Sequence, residues 1–362
     1  MAGSQFGEIF RISTWGESHG AGLGVVIDGC PAGIVLGEDD FSEDMARRRP
    51  GQSGYATPRS EEDRVEILSG IFEGKTTGTP ISLVIRNTSQ RSSDYSDIAG
   101  YYRPGHADRT YDDKYGFRDY RGGGRSSGRE TAARVAAGVV AKKLLQPMGI
   151  NTTAYVKKIG SCECGLSGIP DKKLIESSPL RIPDPEVSRA AEAYLKEKMS
   201  EGDSAGAIVE CITTGVPAGL GDPVFSKLDA LLGQAVFSIG AVKGVEFGAG
   251  FEVAEMSGFT NNDIHRNNAG GILGGISTGD DIVLRAAFKP TPSISKEQSA
   301  YDRQGNEITV SVRGRHDPLV AARAVVVVES MVNIVLADRI LINMGSRADN
   351  ITELYNKLNK NR

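Results

Sequence analysis

Histidine, cysteine and tryptophan are scarce in this chain, which limits the chemistry it can support. Only four histidines, four cysteines and one tryptophan occur among 362 residues. Cys162 and Cys164 are too close together for a usual zinc-binding pair and no second pair follows, so we expect no metal site. Reduced cysteines are the default in the cytoplasm, where we expect the protein to be located.

Long apolar runs and an excess of basic charge are also missing. The best candidate for a membrane span, 324–337, is interrupted by Glu329 and Asn333 and falls short of the roughly 18 apolar residues required. The first residues show no basic region followed by an apolar run, so we expect no secretory signal. Because the net charge is −4, we expect neither nucleic acid nor a membrane as partner.

Glycine, in contrast, is abundant. It occurs 45 times, or about 12% of the residues, against about 7% in an average protein. The glycines cluster where strands and helices are expected to end. There they can bring backbone N–H groups close to a ligand or let helices pack closely, and both interpretations remain open.

The hydrophobic pattern predicts an α+β protein. Alternating apolar residues indicate strands over 23–28, 80–87, 207–214, 281–290 and 307–315. Helices are predicted over 130–145, from Pro185 to about Gly202, and after Asp317-Pro318, and the first and last of these are apolar around most of their circumference. We therefore expect buried helices held between antiparallel sheets, in a single domain spanning 1–362, with 160–183 as an irregular surface insertion.

Two glycine-rich stretches resemble nucleotide-binding motifs without matching them. Residues 69–78 are one residue short of a P-loop and lie between two predicted strands, so a β-turn is the better interpretation. In 20–24 the glycines precede the strand, whereas a dinucleotide-binding fold needs them after it.

The most informative region is 102–134, which contains eight lysines and arginines and five acidic residues. Three glycines lead into Arg125, two serines and Arg129, immediately before a predicted helix. Helix N-terminal N–H groups, hydroxyls and guanidinium groups together favour an anion, above all a phosphate. A solvated, self-neutralising surface and an RNA-binding segment rich in arginine and glycine are the alternatives; a single short match in an acidic protein argues against the second.

Other loops repeat this combination of basic residues with hydroxyls or glycine. They are 47–49, 289–293 and 313–318. Four such loops exceed the needs of one phosphate, which indicates a phosphorylated substrate together with a phosphorylated cofactor. A protein that only binds these molecules would not need His19 and His106 beside them, although a lone histidine among glycines is commonly a surface or packing residue.

Three long stretches closely resemble the signatures of the chorismate synthase family. They are GESHGAGLGVVIDGCP (16–31), GGGRSSGRETAARVAAGVV (122–140) and GRHDPLVAARAVVVVESM (314–331). The resemblance implies helices sandwiched between antiparallel sheets, a homotetramer and a requirement for reduced FMN. It also implies a lyase of the shikimate pathway that converts 5-enolpyruvylshikimate 3-phosphate into chorismate and phosphate.

The resemblance also implies roles for individual residues. His19, with Ser18 beside it, would protonate the leaving phosphate; His106 would protonate or hold the reduced flavin; Asp317 would assist proton transfer at flavin N5. Ser127 is counted among both the catalytic and the flavin-binding residues. The arginines expected to grip the substrate are Arg48, Arg103, Arg129 and Arg315. The residues expected to hold FMN are Arg125, Ser126, Ser127, Gly240, Ala241, Gly274, Lys289, Pro290, Thr291, Pro292, Ser293 and Arg315.

Two positions depart from the family pattern. Gly54 stands where relatives often carry an arginine, which puts the usual pyridine-nucleotide contact near Arg48 in doubt. Gly240 stands where relatives commonly carry asparagine, so one hydrogen bond to FMN would be absent or supplied by the backbone. We expect NADPH to act only as a reductant and an external reductant to reduce the flavin. A generic flavin reductase is the alternative, and it would consume NADPH without substrate.

Overall fold

Two antiparallel sheets enclose a layer of helices. The computed structural model describes residues 3–51, 55, 62–88, 100–166, 168–312 and 317–360. The helices over these residues are α1 (Ser42–Arg48), α2 (Asp108–Tyr115), α3 (Thr131–Leu145), α4 (Lys172–Ser177), α5 (Pro185–Ser200), α6 (Leu228–Phe237), α7 (Gly258–Asn261), α8 (Ala321–Asn343) and α9 (Ala348–Lys360).

The strands are short except in the centres of the two main sheets. They are β1 (Gln5–Phe6), β2 (Arg11–Gly16), β3 (Gly22–Asp28), β4 (Val65–Ile67), β5 (Ile71–Phe72), β6 (Lys75–Thr76), β7 (Ile81–Arg86), β8 (Tyr101–Tyr102), β9 (Asn151–Ile159), β10 (Cys162–Glu163), β11 (Ala207–Thr214), β12 (Val242–Phe247), β13 (Ile272–Leu273), β14 (Ile276–Ser277), β15 (Ile282–Phe288), β16 (Gln298–Asp302) and β17 (Glu307–Val310).

Each main sheet has five antiparallel strands. The first has the order β1-β2-β3-β7-β4 and the second the order β10-β9-β11-β15-β12, while β17, β16 and β8 form a smaller sheet. The strands predicted over 23–28, 80–87, 207–214 and 281–290 are confirmed as β3, β7, β11 and β15. The strand predicted over 307–315 ends earlier, at Val310.

Helices α3 and α8 fill the space between the sheets. Helix α3 packs against β3 and β7 of the first sheet, while α8 packs against β9 and β11 of the second. Every residue of α8 from 324 to 339 is buried, as its nearly continuous apolar sequence predicts. This arrangement confirms the predicted helices between antiparallel sheets. None of the helices in the described ranges has the length and apolar character needed to cross a membrane.

The two buried helices approach each other closely at Gly138 of α3. A Cβ atom there would lie less than 3.0 Å from both backbone and side-chain atoms of Ser330 in α8. We expect Gly138→Ala to destabilise the protein, because overpacking costs about 1–3 kcal/mol and outweighs the gain of about 1 kcal/mol in helix propensity. Urea denaturation would measure this change in the free energy of unfolding.

Gly233 of α6 is the matched control for that prediction. A Cβ at this position would have no heavy atom within 4 Å beyond its immediate neighbours. Gly233→Ala should therefore stabilise the protein by up to about 1 kcal/mol. If both alanine variants were stabilised, the close contact between α3 and α8 would be wrong.

The described residues of 160–183 contain two short regular elements within a largely exposed stretch. Strand β10 pairs with β9, and α4 packs Ile175 against Tyr155 and Ile212 on the outer face of the second sheet. Leu180 and Ile182 are also buried. The assignment of 160–183 as a surface insertion stays a prediction. The assignment of the whole chain to one domain stays a prediction.

The stretch that resembled a P-loop forms a β-hairpin. Strands β5 and β6 pair across Glu73 and Gly74, whose φ angles are 48° and 72°. Two consecutive positive φ angles are typical of the tight turns that match the twist of a hairpin. The β-turn interpretation of 69–78 is confirmed.

Candidate active site

His19 lies in the loop between β2 and β3, against the glycine-rich loop that leads into α3. Its side chain is only 7% exposed. The Ser18 hydroxyl lies 3.1 Å from His19 Nδ1 and donates to the carbonyl oxygen of Gly122 at 3.2 Å. A Cβ at Gly122 would overlap the His19 ring, so the abundance of glycine here serves a close approach.

Asn87, which the sequence analysis did not single out, closes the turn that carries His19. Its Nδ2 group donates to the carbonyl oxygens of Glu17 and Gly20 at 2.9 and 2.8 Å. Its Oδ1 atom accepts from Nε of Arg129 at 3.0 Å. Thus one carboxamide joins the histidine turn to a predicted substrate-binding arginine.

Arg48 and Arg129 share a single buried carboxylate, that of Asp63. Arg48 donates to Asp63 Oδ2 at 2.8 Å, and Arg129 forms an ion pair with Oδ1. Burial alone would raise the pKa of Asp63, but the two guanidinium groups lower it below the ordinary value. Arg48 is only 1% exposed, and burial lowers its pKa to about 10, so it remains charged near neutral pH.

Asp317 joins the same network through Arg323. Arg323 Nε donates to the carbonyl oxygen of Arg48 at 3.0 Å, and its NH1 group forms an ion pair with Asp317. Asp317 therefore lies just before α8 and close to the end of α1, where Arg48 is located. Its role in proton transfer stays a prediction.

His106 belongs to a second group of predicted site residues. Its Nε2 atom lies 2.7 Å from the Ser293 hydroxyl. Lys289 Nζ donates to the carbonyl oxygen of Gly105 at 2.6 Å, and a Cβ at Gly105 would come within 2.8 Å of Pro292. The loop that carries His106 thus packs directly on 289–293, as a shared site requires.

Arg103 connects the two histidine loops. It grips Asp108 with two side-chain hydrogen bonds of 2.8 Å, a bidentate geometry that fixes the guanidinium plane. A Cβ at Gly123 would lie 3.7 Å from NH2 of Arg103, so this arginine faces the glycine-rich loop. That loop also contacts His19 through Gly122, so residues 122–123 lie between the His19 loop and the loop that carries Arg103 and His106.

The serines of the glycine-rich loop make local contacts, whereas Arg125 reaches a distant strand. Ser126 donates to the carbonyl oxygen of Gly123 at 2.7 Å, and Ser127 accepts from the backbone N–H of Arg129 at 3.3 Å. Arg125 donates to Thr14 Oγ1 at 2.7 Å and to the carbonyl oxygen of Gly16 at 3.2 Å. Arg125 therefore braces the loop against β2.

Residues 289–293 also have features that fit a phosphate-bearing flavin. Pro290 follows β15, and the Lys289 backbone N–H donates to the carbonyl oxygen of Ala241 at 2.9 Å. The Thr291 hydroxyl is buried and has no hydrogen-bond partner among the described residues, so it can serve a ligand. Burial and the ammonium group of Lys243 lower the pKa of Lys289, a cost that an anionic ligand would relieve.

Gly274 does not lie beside the segment 289–293. Its neighbour Gly275 packs on Lys227, just before the start of α6. Gly240 and Ala241 follow the other end of α6, and a helix of ten residues separates its two ends by about 15 Å. Gly274 lies next to a cavity of about 1310 Å³ whose lining residues fall between 245 and 281. Its contact with FMN stays a prediction, as does that of the exposed Gly240.

Two residues singled out by the sequence analysis, Gly54 and Arg315, lie outside the described residues, as does the stretch 313–316 of the loop 313–318. Within the described ranges, no cluster of three or more histidine, cysteine or acidic side chains could hold a metal ion. The four cysteines are all free.

Comparison with known proteins identifies the family. Residues 10–341 match the family model described as chorismate synthase. The chorismate synthase of Lachnospira eligens is 57% identical over 99% of this chain and 100% of its own, and that of Lachnoclostridium phytofermentans is 56% identical with the same coverage. A crystal structure of chorismate synthase superposes with a TM-score of 0.72 at 34% identity, covering 94% of both chains. The chain belongs to the chorismate synthase family and is a lyase that forms chorismate.

Proposed function

We propose that this chain forms chorismate by eliminating phosphate from 5-enolpyruvylshikimate 3-phosphate, with reduced FMN bound. The observation that carries the proposal is that residues 122–123 lie between the His19 loop and the loop that carries Arg103 and His106, with Arg129 beside them. The site thus combines two groups able to transfer protons near neutral pH with cations that suit an anionic substrate.

The reaction requires two bonds to break on one ring. Phosphate leaves from C3, and a hydrogen that is too weakly acidic for an ordinary side-chain base is lost from C6. When bound, reduced FMN would lend transient electron density to the departure of the phosphate and would accept the hydrogen from C6. The protein's own part is to hold the substrate, neutralise the departing phosphate and deliver protons.

His19 is the proposed acid for the departing phosphate. Its burial against Gly122 and the contact of Ser18 Oγ with Nδ1 fix the ring, so that a proton held at Nε2 has a defined direction. Arg129, fixed by Asn87 and Asp63, and Arg103, fixed by Asp108, would bind the carboxylates and phosphate of the substrate. The buried Arg48 would act chiefly by holding Asp63, and Arg315 is retained as a further substrate and flavin contact.

FMN would be held by 289–293, by the Ala241 segment and by the loop from Arg125 to Ser127. The buried Thr291 hydroxyl and the two neighbouring ammonium groups of Lys289 and Lys243, which repel each other, support this assignment. His106, bonded to Ser293, would hold or protonate the reduced flavin, while Asp317 would assist proton transfer close to it.

The cellular context is part of the same proposal. We propose a homotetramer that works in the cytoplasm, with FMN reduced by an external reductant and NADPH needed only for that reduction. Four free cysteines are consistent with a reducing compartment.

An anaerobic assay tests the reaction directly. We expect the purified protein with chemically reduced FMN and 5-enolpyruvylshikimate 3-phosphate to release chorismate and phosphate in equal amounts. Oxidised FMN should support no turnover. Consumption of NADPH without substrate would instead indicate a flavin reductase, and a salt-dependent shift of RNA in a gel would indicate an RNA-binding protein.

A further inference from the structure

Asn87 occupies the point where the two sides of the candidate site meet. It follows β7 directly, and its backbone N–H donates to the carbonyl oxygen of Ala21 at 3.3 Å. Its side chain reaches the loop 17–20 in one direction and the Arg129 guanidinium in the other. The carboxamide is half-buried, and its hydrogen bonds define its orientation.

The orientation follows from the donors and acceptors around it. Both hydrogens of Nδ2 face carbonyl oxygens, those of Glu17 and Gly20, and Oδ1 faces the N–H donor of Arg129. The flipped amide would place Oδ1 against carbonyl oxygens and its hydrogens against the guanidinium group, so every contact would be repulsive.

The turn that Asn87 closes is weakly held by its own backbone. Within it, the N–H of Gly20 donates to the carbonyl oxygen of Glu17 at 3.2 Å, and His19 is the third of its four residues. Glycine at position 20 gives the backbone extra freedom. The two bonds from Asn87 span the ends of this turn and therefore limit how far the His19 ring can move.

We propose that Asn87 is a positioning residue that sets the His19 ring and the Arg129 guanidinium in one fixed relation. The inference rests on the proposed function, in which His19 serves the leaving phosphate and Arg129 binds the anionic substrate. One carboxamide then aligns the proton donor and the anion-binding group with each other, because displacement of either moves the other. A misplacement of about 1 Å can cost about 100-fold in rate.

Two substitutions at position 87 test this role. Asn87→Asp keeps an acceptor for Arg129 but has no hydrogens for the carbonyl oxygens of Glu17 and Gly20. We expect it to lower kcat about 10- to 100-fold, and its added negative charge beside Arg129 should also raise KM for the anionic substrate. Asn87→Ala removes the hydrogen bonds to the 17–20 turn and the one to Arg129. We therefore expect kcat to fall by a similar factor and KM to rise about tenfold, as for a lost hydrogen bond to a charged group.

A second readout follows His19 without turnover. With histidines labelled at ¹³Cε1, NMR resolves the titration of His19 among only four histidines. We expect the His19 chemical shift and its titration midpoint to move in both Asn87 variants, while those of His265 remain unchanged. Asn151→Ala is the matched control: its amide also closes a turn, donating to Gly149 at 3.0 Å, but at the far end of α3, about 22 Å from the site.

The outcomes are distinguishable. If the wild-type protein forms no chorismate, the proposed function fails, and the His19 titration still tests the positioning. If Asn87→Ala leaves kcat, KM and the His19 titration within twofold of wild type, the inference is overturned. It is also overturned if Asn151→Ala reproduces the loss of activity, because general destabilisation would then explain it.

Discussion

Replacing His19 with alanine is expected to lower kcat by about 10²- to 10⁴-fold, the usual contribution of a positioned general acid. The ring is buried, aligned by Ser18 and seated on Gly122, so its loss removes a proton donor that no mobile side chain replaces. The free energy of unfolding should change far less, and the spectrum of bound reduced flavin should stay normal. Anaerobic kinetics with reduced FMN would measure the loss of rate.

His106 and His265 supply the comparisons for that experiment. His106→Ala should also slow turnover but should change the flavin spectrum or its pH dependence, since His106 contacts Ser293 in the proposed flavin segment. His265 is exposed, and His265→Ala should retain full activity. A changed flavin spectrum in His19→Ala with a normal one in His106→Ala would mean that the two roles are reversed. Full activity in both would reduce His19 to a packing residue.

The sequence predicts the framework of the site well because the framework follows from local patterns. Alternation in 281–290 predicts β15, and the uninterrupted apolar run after Asp317-Pro318 predicts the buried α8. The glycine- and arginine-rich loop before α3 also has a local composition that indicates an anion site. Each of these signals depends on residues that are neighbours in the chain.

The residues that the sequence does not reveal work through distant partners. Asn87 and Asp63 are ordinary polar residues in ordinary surroundings, yet they bond to Arg129 from 42 and 66 positions away. No local periodicity encodes such contacts, since they arise only when β3, β7 and α3 are packed together. For the same reason, the sequence predicts that Arg48 belongs to a basic cluster but does not predict that its guanidinium group is buried against Asp63.

The burial of Arg48 leads to the largest effect on stability that we expect. Arg48→Ala would leave Asp63, whose side chain is 0% exposed, without one of its two cationic partners. Breaking a buried ion pair in this way typically costs about 3–5 kcal/mol. Urea denaturation would measure the loss, and Arg11→Ala, which removes an exposed pair with Asp28, should cost no more than about 1 kcal/mol.

Two further measurements separate a buried pair from direct contact with the substrate. In the double variant Arg48→Met with Asp63→Asn part of the lost stability should return, because position 63 no longer carries a buried charge that lacks one of its partners, although Arg129 loses its ion pair. Arg48 and Arg129 lower the pKa of Asp63 despite its burial, so its stabilising contribution is present above the unfolded value of about 3.9 and is lost as the pH falls through the folded value. The difference in the free energy of unfolding between wild type and Arg48→Ala should therefore become smaller as the pH is lowered. Unchanged stability with a raised KM would instead make Arg48 a direct substrate ligand.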